Sequence, residues 1–235
     1  MDGDLAPLPE LCKAAEQAGA TLVVDDAHGT GVMGKDGRGT VEHYGLEGRA
    51  IVQMGTLSKA LGGMGGFVAG SRDLIEYLVN RARPFIYTTA LPPAMAAAAA
   101  AALDVIEAEP ERRARLWSLR DRLHEGICQI GFDTLDSRSP IIPLLVGDAD
   151  QALALSDQLL THGVYAPAIR PPTVPAGTSR IRMSVTAGHT PAQIDHVLDV
   201  LKTIVASDGR LRESLRGGRR AGEEARGRKA RPPSL

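Results

Sequence analysis

Short apolar runs alternate along the chain with segments of helical periodicity. Each run is too short for a helix, and glycine, proline or acidic residues bound it, so it predicts a buried strand. The runs are "ATLVVDD" (20–26), "AIVQMGT" (50–56), "GGFVAG" (65–70), "IIPLLV" (141–146) and "RIRMSV" (180–185). Because predicted helices lie between these strands, the pattern favours α/β layering.

The segments between the strands carry apolar residues every three or four positions, which predicts helices. The predicted helices run from Leu8 to a stop at Gly19, over 72–82, from Pro93 through the alanine run 96–102, along 116–130, over 150–162, and onward from Pro191. "FIYTTALPP" is expected to be extended. The last helix begins with Thr190 and Gln193 at the spacing of a capping box. The break at "EP" places a domain boundary near residue 108.

Composition adds limits to this picture. At 235 residues and 43% hydrophobic, the chain can bury one substantial core, or one core and a smaller satellite. Cys12 and Cys128 lie in apolar helical patterns, which predicts two small buried side chains. No basic segment followed by an apolar run begins the chain, and no stretch approaches the ~18 apolar residues of a membrane span, so a cytoplasmic protein is expected.

The charge is concentrated at the C-terminal end. Residues 210–235 hold nine Arg or Lys against three Glu. A basic segment can bind nucleic acid, but no aromatic residue interleaves the arginines to stack on bases. A disordered basic tail over 208–235 is therefore the favoured interpretation.

"VVDDAHGTG" (23–31) places two acids and a histidine at the end of an apolar strand. Adjacent strand residues face opposite sides, so Asp25 and Asp26 cannot both point into one site. Ligands of open α/β sheets bind at the carboxyl ends of strands, which makes this a candidate site. The alternative is that the acids cap a glycine turn and that His28 is an ordinary loop residue.

"GTLSKALGGMGG" (55–66) places Lys59 just past a strand, beside Thr56 and Ser58. An isolated lysine is usually a solvated charge. A lysine in a glycine-rich loop between apolar strands is expected to be partly desolvated, which lowers the pKa of an amine and frees it to attack a carbonyl. Such a lysine, together with an acid for a pyridinium nitrogen, suits pyridoxal phosphate (PLP) chemistry. Hydroxyls and glycines suit a phosphate.

These motifs resemble those of the α-oxoamine synthases, a PLP-dependent family of fold type I. The matching segments keep the family's order over roughly residues 1–206: "MDGDLAPLPEL", "VVDDAHGTGVMG", "GRGTVEH", "GTLSKALGG", "FIYTTALPP" and "AIRPPTVPAGTSRIRMSVTAGHT". The resemblance implies the C-terminal half of the PLP-binding large domain, with a mixed sheet, over 1–108. It implies a small α+β domain over 109–207.

The resemblance also implies a role for each matching residue. In the cofactor pocket, Asp25 is expected to pair with the pyridine nitrogen, His28 to touch the ring hydroxyl, and Thr56 to approach the phosphate. Lys59 is expected to bond covalently to PLP as the catalytic residue. Thr88 and Thr89 are expected to reach the phosphate of a neighbouring subunit's cofactor, which implies a homodimer with shared sites.

At the substrates, Arg170 is expected to grip the amino-acid carboxylate, and Thr173 to help bind the acyl thioester. The implied reaction condenses L-alanine with a pimeloyl thioester, of coenzyme A or of a carrier protein, with loss of carbon dioxide, as a step of biotin synthesis. This choice leans on "RPPTVPAGT". The alternative is a relative that uses glycine or serine with another acyl-CoA. Small-molecule substrates are expected, with no metal, membrane or nucleic-acid partner.

The chain departs from the family's pattern in one large respect. Its match begins at "MDGD", well inside that pattern, without the histidine that stacks on the PLP ring and without a glycine-rich phosphate segment. We therefore expect a fragment or a misassigned start. An inactive chain, or one that pairs with a separate N-terminal half, is a further alternative.

Overall fold

The computed structural model describes residues 1–213 and residue 215, and these residues form two compact units. One unit is Ala6–Arg113. The other joins Met1–Leu5 to the chain from Ala114 onward. The predicted domain limits, 1–108 and 109–207, stay a prediction. Most of the predicted basic tail lies outside the described residues.

The first unit contains a three-stranded mixed sheet. Its strands are β1 (Leu22–Asp25), β2 (Ile51–Thr56) and β3 (Gly66–Ala69). They lie in the order β1-β2-β3, with β1 parallel to β2 and β2 antiparallel to β3. The strands agree with the predicted ones. Because β1 and β2 are parallel, their carboxyl ends lie at the same edge of the sheet.

Five helices belong to this unit. They are α1 (Leu8–Ala18), α2 (Thr40–His43), α3 (Arg72–Arg81), α4 (Arg83–Ile86) and α5 (Pro93–Ala108). Helix α1 ends at Gly19, as predicted, where a left-handed conformation lets the glycine N–H bond back to the last turn. Helix α3 begins at Ser71, whose hydroxyl accepts a hydrogen bond from the Leu74 N–H.

The two faces of this sheet differ in exposure. One face forms a small core with α1 and α2, made of Leu8, Cys12, Val24, Val41 and Ile51. The opposite face is open, and its side chains include Val23, Met54 and Val68, with exposed fractions of 63%, 38% and 43%. The open face is the one on which the last residues of β1 and β2 present their side chains.

Two local predictions were wrong, the first of them in part. "FIYTTALPP" was expected to be extended, but Phe85 and Ile86 close the short helix α4. Its first turn contains a proline, which preorganises φ for a helix. Cys128 was expected to be buried, and it is exposed, whereas Cys12 is buried as predicted. The residues nearest Cys128 on its helix face are polar, so the apolar stripe does not extend to it.

The second unit contains an antiparallel sheet and three long helices. Its elements are α6 (Glu111–Ile130), β4 (Ile141–Gly147), α7 (Ala149–Thr161), β5 (Ala168–Ile169), β6 (Ser179–Ser184) and α8 (Pro191–Ser207). The strands lie in the order β4-β6-β5, so β6 is central. Ile142, Leu144 and Ile181 are fully buried in its core.

Helix α8 begins as its sequence predicted. The Gln193 N–H donates to Thr190 Oγ1 at 3.2 Å, and the Thr190 N–H donates to Gln193 Oε1 at 2.8 Å. This reciprocal pair is a capping box. Among the described residues, no helix has the length and apolar character needed to cross a membrane.

Candidate active site

The candidate site begins at the carboxyl ends of β1 and β2. Asp25 is the last residue of β1 and Thr56 the last of β2. Asp25 lies opposite Met54 in the parallel register, so Asp25, Met54 and Thr56 share one face of the sheet. Asp25 and Thr56 therefore lie at one edge and on the open face.

The two adjacent acids divide into an exposed and a buried carboxylate. Asp25 is exposed, and its Oδ1 accepts a hydrogen bond from the Ala27 N–H at 3.0 Å. Asp26 is 4% exposed. Its Oδ2 accepts from the Thr40 N–H at 2.7 Å and its Oδ1 from Thr40 Oγ1 at 2.9 Å. Only Asp25 is available to a ligand on the open face.

Burial raises the pKa of Asp26 above its ordinary value of 3.8, and the two hydrogen bonds from Thr40 partly oppose this. Two glycines pack so closely against its carboxylate that neither position has room for a side chain. A Cβ at Gly29 would lie 2.0 Å from Oδ1, and one at Gly39 would lie 1.8 Å from Oδ2. Asp26 therefore joins the start of the loop after β1 to its end. The alternative that the two acids only cap a glycine turn anticipated this role in part.

A second carboxylate holds the middle of this loop. The Asp36 N–H donates to Glu42 Oε1 and the Arg38 N–H to Glu42 Oε2, each at 2.8 Å. Glu42 lies on α2. Nothing in the sequence marked Glu42, because its partners are backbone amides that no side-chain pattern identifies.

The loop after β2 carries hydroxyls and the candidate nucleophile. Thr56 Oγ1 lies 2.8 Å from Ser58 Oγ, and it accepts a hydrogen bond from the Ser58 N–H at 3.2 Å. The Leu57 N–H donates to the Gly65 carbonyl at 2.9 Å, which closes the loop. Lys59 is exposed. The expected desolvation of this lysine is wrong for the described structure, because the loop is anchored at its base and leaves residues 58–60 exposed.

The loops after β1 and β2 touch each other. A Cβ at Gly31 would lie 3.0 Å from Ala60 Cβ, so the residue after Lys59 lies against the loop that follows Asp25. His28, exposed, lies in the same loop as Gly31. One unit therefore gathers the segments of Asp25, His28, Thr56 and Lys59 at one edge of its sheet.

The remaining predicted site residues lie elsewhere. Thr88 and Thr89 are exposed in the segment between α4 and α5. Arg170 directly follows β5 in the second unit and is exposed, and its carbonyl accepts from the Thr173 N–H at 3.1 Å. Thr88 and Thr89 thus belong to the same unit as Lys59, and Arg170 and Thr173 to the other unit.

The groups gathered at the sheet edge fit PLP chemically. A carboxylate suits a protonated ring nitrogen, a primary amine suits an aldehyde, and hydroxyls suit a phosphate. The backbone is closely packed there: a Cβ at Gly55 would lie 2.9 Å from Thr30 Oγ1 and 2.4 Å from the Phe67 ring. Across the described residues, no three His, Cys, Asp or Glu side chains gather as a metal site.

Comparison with known proteins defines the class. The model of the aminotransferase class I and II family matches residues 1–201, and the chain belongs to this family. Within it, the chain is similar to 8-amino-7-oxononanoate synthase of Symbiobacterium thermophilum, at 52% identity over 84% of the chain and 50% of the relative. It is also similar to 8-amino-7-oxononanoate synthase 1 of Bacillus subtilis, at 48% identity over 86% of the chain and 52% of the relative. The chain thus spans about half the length of the curated relatives it matches.

Solved structures agree with this class. Serine palmitoyltransferase of Sphingomonas wittichii matches with a TM-score of 0.84 at 35% identity, over 88% of the chain and 52% of that protein. The 8-amino-7-oxononanoate synthase of Francisella tularensis matches with a TM-score of 0.76 at 30% identity, over 87% and 60%. These α-oxoamine synthases confirm the predicted family and the PLP-dependent fold type I. A further match, SPT, was solved with PLP, in agreement with the predicted cofactor.

Proposed function

We propose that this chain carries the PLP-binding and catalytic residues of a synthase that condenses L-alanine with a pimeloyl thioester. The products are 8-amino-7-oxononanoate, carbon dioxide and the free thiol, in biotin synthesis. The observation that carries the proposal is the shared edge of β1 and β2, where Asp25 and Thr56 lie on one face and the Lys59 loop packs against the loop after Asp25. The curated relatives named above support the choice of reaction.

Bound PLP supplies an electron sink for the carbanion that forms at the α-carbon of the amino acid. The carboxylate of Asp25 holds the ring nitrogen in its protonated form, and His28 orients the ring through its hydroxyl. Thr56 approaches the phosphate. The amine of Lys59 would hold the cofactor and would carry the proton from and back to the substrate.

Residues outside this edge complete the proposal. Arg170 binds the carboxylate of the amino acid, because a planar guanidinium offers two parallel donors. Thr173 helps to hold the acyl thioester. Thr88 and Thr89 reach the phosphate of a neighbouring subunit's cofactor, so the working form is a homodimer. The cytoplasmic location remains a prediction.

Serine palmitoyltransferases among the structural matches favour a second candidate, a synthase that takes serine or glycine with another acyl-CoA. The curated relatives named above, at 52% and 48% identity, favour L-alanine. A panel of the three amino acids, each tested for thiol release from pimeloyl-CoA and from palmitoyl-CoA, separates the two candidates.

Cofactor binding is tested first. The chain is mixed with PLP, reduced with borohydride and digested, and the modified lysine is located by mass spectrometry. We expect the label on Lys59 and its loss in Lys59→Ala. Lys35→Ala, which removes an exposed lysine of the same unit, should keep the label. Labelling spread over several surface lysines in equal measure would contradict the proposed site.

Activity is tested by following thiol release from the pimeloyl thioester with and without L-alanine. The assay is run on the chain alone and with the N-terminal half of the Symbiobacterium relative added. Release that depends on L-alanine and on Lys59 supports the proposal. Release only with the added half identifies the chain as one part of a two-part enzyme, and no release in either sample contradicts the proposed reaction.

A further inference from the structure

The second unit contains a buried ion pair between residues far apart in the sequence. Arg180 on β6 is 4% exposed and Asp2 is 9% exposed. The Arg180 Nη1–H donates to the Asp2 carboxylate. The same guanidinium donates through Nε to the Thr178 carbonyl at 2.9 Å and through Nη2 to Thr178 Oγ1 at 3.0 Å. One cation thus joins the first residues of the chain to the segment just before β6.

Thr178 connects Arg180 to the loop that carries Arg170. Its N–H and its Oγ1 both donate to the Pro175 carbonyl, at 3.2 Å and 2.7 Å. Val174, next to Pro175, is 6% exposed, so the loop also has a buried apolar side chain. In the register of β5 and β6, Arg180 lies opposite Ile169, the residue before Arg170. One end of the Arg170 loop thus contacts the Arg180 guanidinium through Thr178, and the other end follows the residue that pairs with Arg180 in the sheet.

The segment that carries Asp2 has one fixed position. The Arg138 N–H donates to the Gly3 carbonyl at 2.8 Å. Gly3 has a φ of +72°, and a Cβ there would lie 2.0 Å from the Ile141 carbonyl oxygen. The backbone of residue 3 thus lies directly against β4, where only glycine fits. Asp2 is held beside Arg180 by the backbone as well as by its charge.

A buried guanidinium needs a compensating charge in contact with it. Removal of one partner of a buried ion pair leaves the other charge uncompensated, and the structure relaxes to let water reach it. Here the groups that can relax are the Met1–Leu5 segment and the Arg170 loop, since β6 itself is the central strand of the sheet. Loss of Asp2 should therefore loosen the loop before it unfolds the unit.

We infer that Asp2 and Arg180 are positioning residues for Arg170. They set the conformation of residues 170–178 and so hold the Arg170 guanidinium ready for the carboxylate of the amino-acid substrate. The conformational part of this inference rests on the contacts above, and the part concerning substrate rests on the proposed function. The "MDGD" segment then affects substrate binding indirectly, through the position of Arg170.

The conformational part is tested by hydrogen exchange in the full chain without ligand. Asp2→Asn keeps the shape of the side chain and removes its charge. Exchange of the amides of Thr173 and Thr178, which donate to the Arg170 and Pro175 carbonyls, should accelerate at least tenfold, because breaking a buried ion pair costs more free energy than the ~1.4 kcal/mol of one factor of ten. Thr178→Val removes one acceptor from Arg180 and one donor to the Pro175 carbonyl but leaves the ion pair in place, so it should accelerate the same amides by a smaller factor. Asp199→Asn, which breaks the exposed pair with Lys202, should leave them unchanged.

The substrate part is tested by the kinetics of thiol release. Asp2→Asn should raise the KM for L-alanine at least tenfold while kcat falls less than twofold, and the KM for the thioester should stay within twofold. Unchanged exchange in 173–178, or faster exchange with an unchanged KM for L-alanine, overturns the inference. If the parent chain releases no thiol, either alone or with the added N-terminal half, the proposed function fails, and the exchange result alone decides whether Asp2 holds the loop.

Discussion

Replacing Thr40 by valine tests the role of the buried Asp26 carboxylate. The change removes the hydrogen bond from Thr40 Oγ1 to Oδ1 and keeps the one from the backbone N–H to Oδ2. Because Asp26 is 4% exposed, water cannot replace the lost donor without opening the loop. A hydrogen bond to a charged group contributes about 1.5–3 kcal/mol, and one to a neutral group about 1 kcal/mol. We expect Thr40→Val to lower the free energy of unfolding by about 2 kcal/mol where Asp26 is ionised.

The destabilisation should depend on pH with a definite sign. Burial raises the pKa of Asp26 in the folded state above 3.8, so the folded state binds the proton more tightly than the unfolded state. Its contribution to stability is therefore present below pH 3.8 and is lost as pH rises through the folded pKa. Thr40→Val removes a bond that favours the ionised form, which raises the folded pKa further. The difference between variant and parent should grow with pH from about 1 to about 2 kcal/mol.

Native-state hydrogen exchange of the amides that pair β1 with β2 measures the opening free energy of this unit alone. Parent and variant are compared at each pH, so the intrinsic exchange rates cancel. Thr21→Val, at an exposed threonine of the same unit, controls for the loss of a hydroxyl. An equal effect of Thr40→Val at pH 3 and pH 8 would refute the assignment of Asp26 as a buried anchor that ionises as pH rises.

Three further predictions concern the second unit. Gly3→Ala should lower the free energy of unfolding of this unit by on the order of 3 kcal/mol, because residue 3 has a positive φ and a Cβ there would overlap the backbone. A thermal scan should show this as a marked fall in the unfolding midpoint. The control Gly188→Ala, whose Cβ would have no contact under 3.5 Å, should change the free energy by less than about 1 kcal/mol. Arg122→Gln should leave the urea midpoint of unfolding close to that of the parent, because its pair with Asp195 is exposed on both sides; a clear loss of stability would contradict this. Burial lowers the pKa of His124 below 6.5 in the folded state, so stability is lost as pH falls below 6.5. His124→Gln should make the free energy of unfolding depend less on pH between pH 5 and 6.5 in unfolding titrations. An unchanged pH dependence would contradict this.

Signals that are local in the sequence predicted their structures well. β1 and β2 follow from apolar runs, and α8 from the Thr190–Gln193 capping box. The opposite orientation of Asp25 and Asp26 follows from the strand period alone. The family resemblance added the cofactor and the fold type, which periodicity cannot supply, because many chemistries share α/β layering.

Features that depend on long-range packing were not predictable in this way. Asp2 and Arg180 are 178 positions apart, and nothing near either residue marks it as half of a buried pair. Glu42 binds backbone amides, which every residue offers. The exposure of Lys59 and Cys128 depends on what covers each segment in space, and a single sequence does not encode that directly.

The loop after β1 is held through its main chain. Asp26 and Glu42 grip amides of Asp36, Arg38 and Thr40, so the path of this loop depends little on which side chains lie between its glycines. Residues 35, 36 and 38 can therefore be replaced without changing the path of the loop. New side chains at these positions would leave the backbone of the loop in place, whereas replacement of Asp26 or Glu42 would remove the acceptors of these amides.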